Sequence, residues 1–506
     1  MFESRKKFAP MHEIVTDTKG AAMSSNRSDL YRLDACEAAR MLKACEVSPS
    51  EMVEAAAARI EAVEPHINAL PTTCIERALD HARRIEKGQA PKGRLGGLPI
   101  AIKDLNPVAG VRTTYGSPIY TDHIPETSDV LVEKAEADGG IVIAKSNTPE
   151  FGAGASTFNE VHGKTCNPWN TSRSVAGSSG GSGAALAAGE VWLAQGSDLG
   201  GSLRIPGSFN GVVGLRPSPG RVARGMRGPY GGSIFDTLAV DGPMARTVAD
   251  CALFLDTLSG VHDEDPLSLP LPATSFHAAA RLSQAPRRVG FSRDLGIVPV
   301  DREVADICEA AVKRWAQEGV EVEEAKPDFS ESIRSFQTLR AAFFAACHAD
   351  HLENHRDRLK PEVIWNIEKG LAIDAAEIGR AEVARSRLVA SVARFFERFD
   401  LLLCPTVLVP PFDVDVRYVE EVEGQRFDNY VHWLALTFAI TLTGCPALSL
   451  PVGLTADGLP VGLQIMAPVR AEATLLSASA HLEGLPGCAK MTPVDPKDAD
   501  GRILLG

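Results

Sequence analysis

The stretch Gly177-Ser178-Ser179-Gly180-Gly181-Ser182-Gly183 runs into Ala184-Ala185-Leu186-Ala187-Ala188, and then, farther on, into Gly196-Ser197-Asp198-Leu199-Gly200-Gly201-Ser202-Leu203-Arg204-Ile205-Pro206. A flexible linker would also be rich in glycine and serine, but it has no reason to continue into a small-residue helical run and a second glycine pair. Glycines placed just before a serine let the backbone approach a reacting group and turn N–H groups toward it. Leu199, Gly200, Gly201 and Ser202 are therefore candidates for an oxyanion hole beside a nucleophile.

Working outward, Gly96-Gly97-Leu98-Pro99-Ile100-Ala101-Ile102-Lys103-Asp104 is an apolar run bounded by glycine and proline, which reads as a buried strand with Lys103 carried inward at its end. Most lysines are surface charges and seldom fully buried, so position alone gives Lys103 no role. Gly139 to Asn147 reads as a second strand and is followed by Thr148-Pro149-Glu150-Phe151. Asn167 to Ala176 is polar and contains proline, so it reads as a loop. Ser179 lies at the centre of a Gly-x-Ser-x-Gly pattern, the nucleophile elbow of another hydrolase class, which requires a strand immediately before it. No Gly-Lys-Ser or Gly-Lys-Thr closes the segment, which argues against a phosphate-binding loop.

Taken together, Gly97-Leu98-Pro99 through Lys103-Asp104, the Asn147 to Phe151 element, the two serines Ser178 and Ser202, and Gly242-Pro243-Met244-Ala245-Arg246-Thr247 resemble the amidase signature family of serine hydrolases. The resemblance extends over about residues 29–484, and the separation of Ser178 from Ser202 is the family's own. It implies an α/β fold in which a large mixed, twisted sheet is covered by helices. It also implies a Ser-Ser-Lys triad, with Ser202 attacking the carbonyl, the Ser178 hydroxyl relaying its proton, and Lys103 as the final base, and it implies a cis peptide bond between Gly177 and Ser178. Asp198 and Arg204 would brace the loop. Such a relay needs Lys103 neutral, whereas a solvated lysine titrates near ~10.4, so burial must lower it. The sequence departs from the family where Val175-Ala176 replaces the usual Pro-Gly or Gly-Gly.

The expected substrate is a neutral, bulky or aryl amide or carbamate. The alternatives are a component of a tRNA-dependent amidotransferase and an esterase using Ser179. No cofactor or metal is expected. The net charge of −13 argues against nucleic acid and anionic membranes as partners. A small-molecule substrate is the expected ligand, and a homodimer is left open. Ten cysteines without a Cys-x-x-Cys pair suggest free thiols and a cytoplasmic location.

Residues 1–28 read as a leader, 29–490 as one domain with a helical, pocket-forming insert over 301–398, and 491–506 as a tail. Capping boxes are expected at Asp34/Glu37 and Ser48/Glu51, and the second helix should stop at Glu64-Pro65. Gly242 to Asp250 should open an amphipathic helix ending at Leu258. Residues 261–286 read as a surface excursion. His348, His351 and His355 share a helix face too extended for one metal ion, and that face is expected to be solvated. Pocket walls are expected from 221–235, including Tyr230, and from Phe336 to Trp365.

Overall fold

The computed structural model describes residues 27–225, 227–228, 234–488 and 491–505. The leader expected over 1–28 falls almost wholly outside these residues, as does Tyr230 of the expected pocket wall.

Two apolar runs place the parallel part of the sheet, toward one of its edges. Leu98–Lys103 and Gly140–Ser146 are buried throughout, as strands covered on both faces must be, and they pair in parallel with Lys103 opposite Ser146. On its other edge Leu98–Lys103 pairs in parallel with Leu193–Asp198. Among the described residues, eleven strands form one mixed sheet. Beyond Leu193–Asp198 come Val240–Ala245, Val213–Arg216, Ala447–Leu454 and Pro460–Met466, joined antiparallel. Leu401–Pro405, Arg288–Phe291 and Glu321–Glu324 follow, and the short strand Thr72–Thr73, antiparallel to Gly140–Ser146, closes the other edge. The adjacent parallel strands Leu98–Lys103 and Leu193–Asp198 thus end with Lys103 and Asp198 at their carboxyl ends, where open α/β sheets bind ligands.

Several local expectations are corrected. The Ser48/Glu51 capping box forms in full, whereas Asp34 makes no side-chain cap to its helix. The helix Pro49–Ile67 runs through Pro65 and stops at Asn68, which takes the left-handed conformation. Past the proline, the Glu64 carboxylate accepts from the N–H groups of Ala69 and Leu70 at 2.7 and 2.8 Å, so the exiting backbone is satisfied. The Gly242 segment belongs to the strand Val240–Ala245, and the helix begins only at Val248, capped by Thr247. That helix is buried almost all round, since sheet and neighbouring helices enclose it, and it is not amphipathic. Within 261–286, Phe276–Leu282 is a helix packed on its neighbours.

The segment 301–398 divides in function. Arg302–Gln317 packs on the sheet, while Ser332–His355, Pro361–Leu371 and Ala375–Phe395 form a separate helical group. The tail is docked rather than loose: Val494 N–H bonds Ala187 O at 2.8 Å, and Asp495 pairs with Arg59 at 2.8 Å. All ten cysteines are free thiols. Among the described residues no helix is long and apolar enough to cross a membrane.

Candidate active site

Asn167 to Ala176 is not a loop throughout, because Asn170–Ser174 forms a two-stranded hairpin with Cys166–Asn167, apart from the main sheet. The chain then turns at Ala176, which sits at φ 56°, a left-handed position that costs an alanine roughly 1–2 kcal/mol and that glycine would fill freely. This is what the departure at Val175-Ala176 produces. The Ala176 carbonyl accepts from Thr157 Oγ1 at 2.7 Å, which holds the turn, and the following Gly177–Ser178 bond is cis as expected.

The helix Gly180–Ala188 starts directly after the serines and is packed without spare room. A Cβ on Gly180 would lie 2.2 Å from Thr157 Oγ1, and one on Gly181 2.3 Å from Asn147 N. Ser179 N–H donates to the Ser202 carbonyl at 3.2 Å and ties the two glycine-rich segments together.

Lys103 is fully buried, and its Nζ lies 2.7 Å from Ser178 Oγ, 2.9 Å from Ser179 Oγ and 3.0 Å from Ser197 Oγ. Burial lowers its pKa to about 7, against the opposing pull of the Asp241 and Asp198 charges. An ammonium has three N–H bonds to give, and three hydroxyls receive them; losing one proton exposes a lone pair to the same hydroxyls. Lys145 is buried as well, but Asp104 lies 3.4 Å away as a counter-charge. Lys103 faces hydroxyls instead, the setting in which a lysine can serve as a base.

Ser202 is half-buried and shares a cleft with Ser178 and Ser197. Ser179 does not line that cleft; it is fully buried, and its Oγ bonds Lys103 and the Ser197 backbone. The elbow reading therefore fails on exposure, although a strand does precede the segment. Of the expected oxyanion donors, Gly201 is corrected, because its N–H is donated to Asp198 Oδ1 at 2.9 Å. The N–H groups of Leu199, Gly200 and Ser202 are bonded to no group among the described residues. Gly201 has φ 124°, and a Cβ there would sit 2.2 Å from Thr437 Oγ1, so only glycine makes this turn.

Asp198 anchors the turn. It accepts from Leu203 N–H at 3.2 Å and takes a two-pronged bond from Arg204 at 2.9 and 3.0 Å. Burial alone would raise its carboxyl, but the Arg204 and Arg216 charges and these hydrogen bonds hold it well below the usual range. Arg204 also donates to Thr437 O, Gln464 Oε1 and Thr441 Oγ1. Replacing it as Arg204→Met strands part of a buried charge cluster. The expected loss is about 3–5 kcal/mol in urea unfolding, and a loss under about 1 kcal/mol would contradict this role.

Sequence reasoning missed the supports of Lys103. Gln195 Oε1 accepts from Lys103 N–H at 3.1 Å, and Gln195 Nε2 reaches Asn106 Oδ1 and Asp241 Oδ1 at 3.1 and 3.0 Å. Asn106 bridges Asp241 and Asp129 at 3.3 and 3.2 Å. Gln195 lies on the sheet strand beside Lys103, and only strand register, which a single sequence does not carry, could have found it. The expectation of a solvated histidine face is corrected too. His348 is fully buried and stacks on Phe151 with ring centroids 4.6 Å apart, while His351 bonds the Tyr120 hydroxyl at 2.8 Å. The helix turns this face onto the Tyr115 to Phe151 cluster rather than onto solvent.

Leu105, Phe151, Phe336, Phe343, Phe344 and Leu434 form the apolar part of the cleft lining, which Asp129, Asp241 and Arg340 also reach. Of the expected 221–235 wall, Arg224, Gly225 and Arg227 reach it; Trp365 does not line it.

A family model described as Amidase matches residues 51–476. The chain belongs to the amidase signature family of amide hydrolases. An acylamidase of Rhodococcus erythropolis is 34% identical over 92% of this chain and 98% of its own. The A component of the glutamyl-tRNA(Gln) amidotransferase of Thermosynechococcus vestitus is 32% identical over 88% of this chain and 96% of its own. The crystal structure of a bacterial aryl acylamidase of the amidase signature family superposes with a TM-score of 0.81 at 28% identity, over 89% of this chain and 96% of that one. The expected mixed α/β sheet of this amidase family is thus the observed one.

Proposed function

We propose that this amidase hydrolyses bulky or aryl amides, and carbamates of like shape, through an acyl-enzyme on Ser202. The observation that carries the reading is Lys103, buried with hydroxyls as its direct partners against Ser178, which lines a cleft together with Ser202. Neutral Lys103 takes the Ser178 proton as Ser178 takes that of Ser202, whose Oγ bonds to the carbonyl carbon. The N–H groups of Leu199, Gly200 and Ser202 receive the negative oxygen. The relay then returns the proton to the leaving nitrogen, the C–N bond breaks, and water releases the acyl group by the same route. A carbamate presents the same carbonyl and follows the same steps. The protein is read as cytoplasmic.

The apolar walls support the substrate class, as do the names of the acylamidase relatives. Each buried CH₂ is worth about 0.8 kcal/mol, so kcat/KM should climb about fourfold per methylene across a series of acyl para-nitroanilides until the cleft is filled. A flat or falling series would remove the apolar pocket from the account and leave the triad standing. The amidotransferase relatives favour a second reading, release of ammonia from glutamine for use by a partner protein; glutaminase activity exceeding anilide hydrolysis would select it.

A further inference from the structure

The helix Ser332–His355 forms one wall of the cleft. Its Phe336 ring stacks on Phe438 with centroids 4.3 Å apart, and a Cβ placed on Gly200 would lie 3.1 Å from Phe336 Cζ. Phe336 therefore touches the turn that carries the oxyanion donors. Four residues on, about 6 Å along the helix axis, Arg340 lines the same cleft.

Arg340 is 6% exposed. Its guanidinium donates to Asn366 Oδ1 and, at 3.0 Å, to the Tyr430 hydroxyl, and it lies 4.5 Å over the Phe344 ring and 5.6 Å over that of Tyr430. All of these partners are neutral, and no carboxylate among the described residues forms an ion pair with it. The other arginines at the cleft are paired: Arg224 with Asp241 at 3.7 Å, and Arg227 with Glu133 and Glu264 at 2.5 Å each. A buried guanidinium ordinarily has an anionic partner, and its planar fork suits a carboxylate.

We propose that the substrate supplies this partner: the cleft accepts amides whose acyl group ends in a carboxylate, held by Arg340 about one helical turn beyond the scissile carbonyl. The inference rests on the Ser202 acyl-enzyme reading and narrows its acyl group. Ser178 and Lys103 serve the leaving nitrogen, which leaves the Phe336 wall, in contact with Gly200, to the acyl side. The methylenes of a dicarboxylic acyl chain pack on Phe336 and Phe344, and its far end meets the guanidinium.

The test compares glutaryl and adipoyl para-nitroanilides with the pentanoyl and hexanoyl compounds of equal length. Wild type should favour the carboxylated member of each pair by at least about tenfold in kcat/KM, as expected for one charge-assisted, bidentate contact. Arg340→Met should erase the preference, and Arg340→Lys should keep part of it. A wild-type ratio at or below unity, or a ratio unchanged in Arg340→Met, overturns the assignment. Should Arg340→Met not fold, the wild-type ratio and Arg340→Lys decide. If no anilide is turned over, the hydrolase reading has failed, and binding is then scored separately by thermal shift. Glutarate raising the wild-type melting temperature above the effect of pentanamide sustains the Arg340 site, and equal shifts sink it.

Discussion

Ser202→Ala should abolish amide turnover, lowering kcat by about 10⁴–10⁶-fold, while unfolding stability changes by no more than about 0.5 kcal/mol. The hydroxyl makes no hydrogen bond among the described residues and stands half-buried in the cleft, so its removal opens no sealed cavity and strands no partner. Ser179→Ala is the proper control. It deletes one acceptor of Lys103 at 2.9 Å but leaves the attacking oxygen in place, and a loss of at most about 10²-fold is expected. Substantial activity in Ser202→Ala combined with a dead Ser179→Ala would transfer the nucleophile to Ser179. Stopped-flow measurement of a para-nitroaniline burst in wild type, absent in Ser202→Ala, tests the covalent intermediate directly.

The second large effect concerns pH. Lys103 is held near 7 by burial, so below that value it is an ammonium with no lone pair, and above it the amine can accept the Ser178 proton. kcat/KM should therefore rise with pH through a limb centred near 7, and Lys103→Ala should lose about 10³-fold or more along with the limb. Asp241 favours the charged lysine, so Asp241→Asn should move the limb to lower pH. Because Lys103 adjoins three hydroxyls and the Asp241 charge, the limb belongs to the group as a set. An identical limb in residual Lys103→Ala activity, or a shift to higher pH in Asp241→Asn, would remove Lys103 from the role of base.

The sequence made the parallel strands that carry the site readable because Leu98–Lys103 and Gly140–Ser146 are continuous apolar runs closed by glycine and proline. Lys103, Ser178, Ser202, Asp198 and Arg204 were singled out through motifs that resemble the family's, and the structure sets Lys103 Nζ beside Ser178 Oγ and Arg204 against Asp198. What escaped depends on contacts between distant segments. Gln195 supports Lys103 across two adjacent strands, Arg216 reaches Asp198 from a third, and no local pattern marks either. Pro65 and Gly242 misled for a related reason: a helix whose exit is secured by Glu64 tolerates a proline, and Val240–Ala245 is held extended by its pairing with Leu193–Asp198. The histidine face misled because polar periodicity cannot tell water from an aromatic cluster as the neighbour.

The crowding around Gly180 and Gly181 also bears on how this protein can change over generations. With 2.2 and 2.3 Å left for any side-chain carbon, nearly every heritable substitution there would break the reaction centre before it altered what the enzyme acts on. One wall of the cleft is a helix that carries Phe336, Arg340, Phe343 and Phe344, all with long side chains. Adaptation to a new compound can therefore proceed by single codon changes on one helix while Lys103, Ser178 and Ser202 stay unchanged. A mutant library confined to those four positions should yield altered acyl preferences at a far higher frequency than one of equal size spread over 177–183.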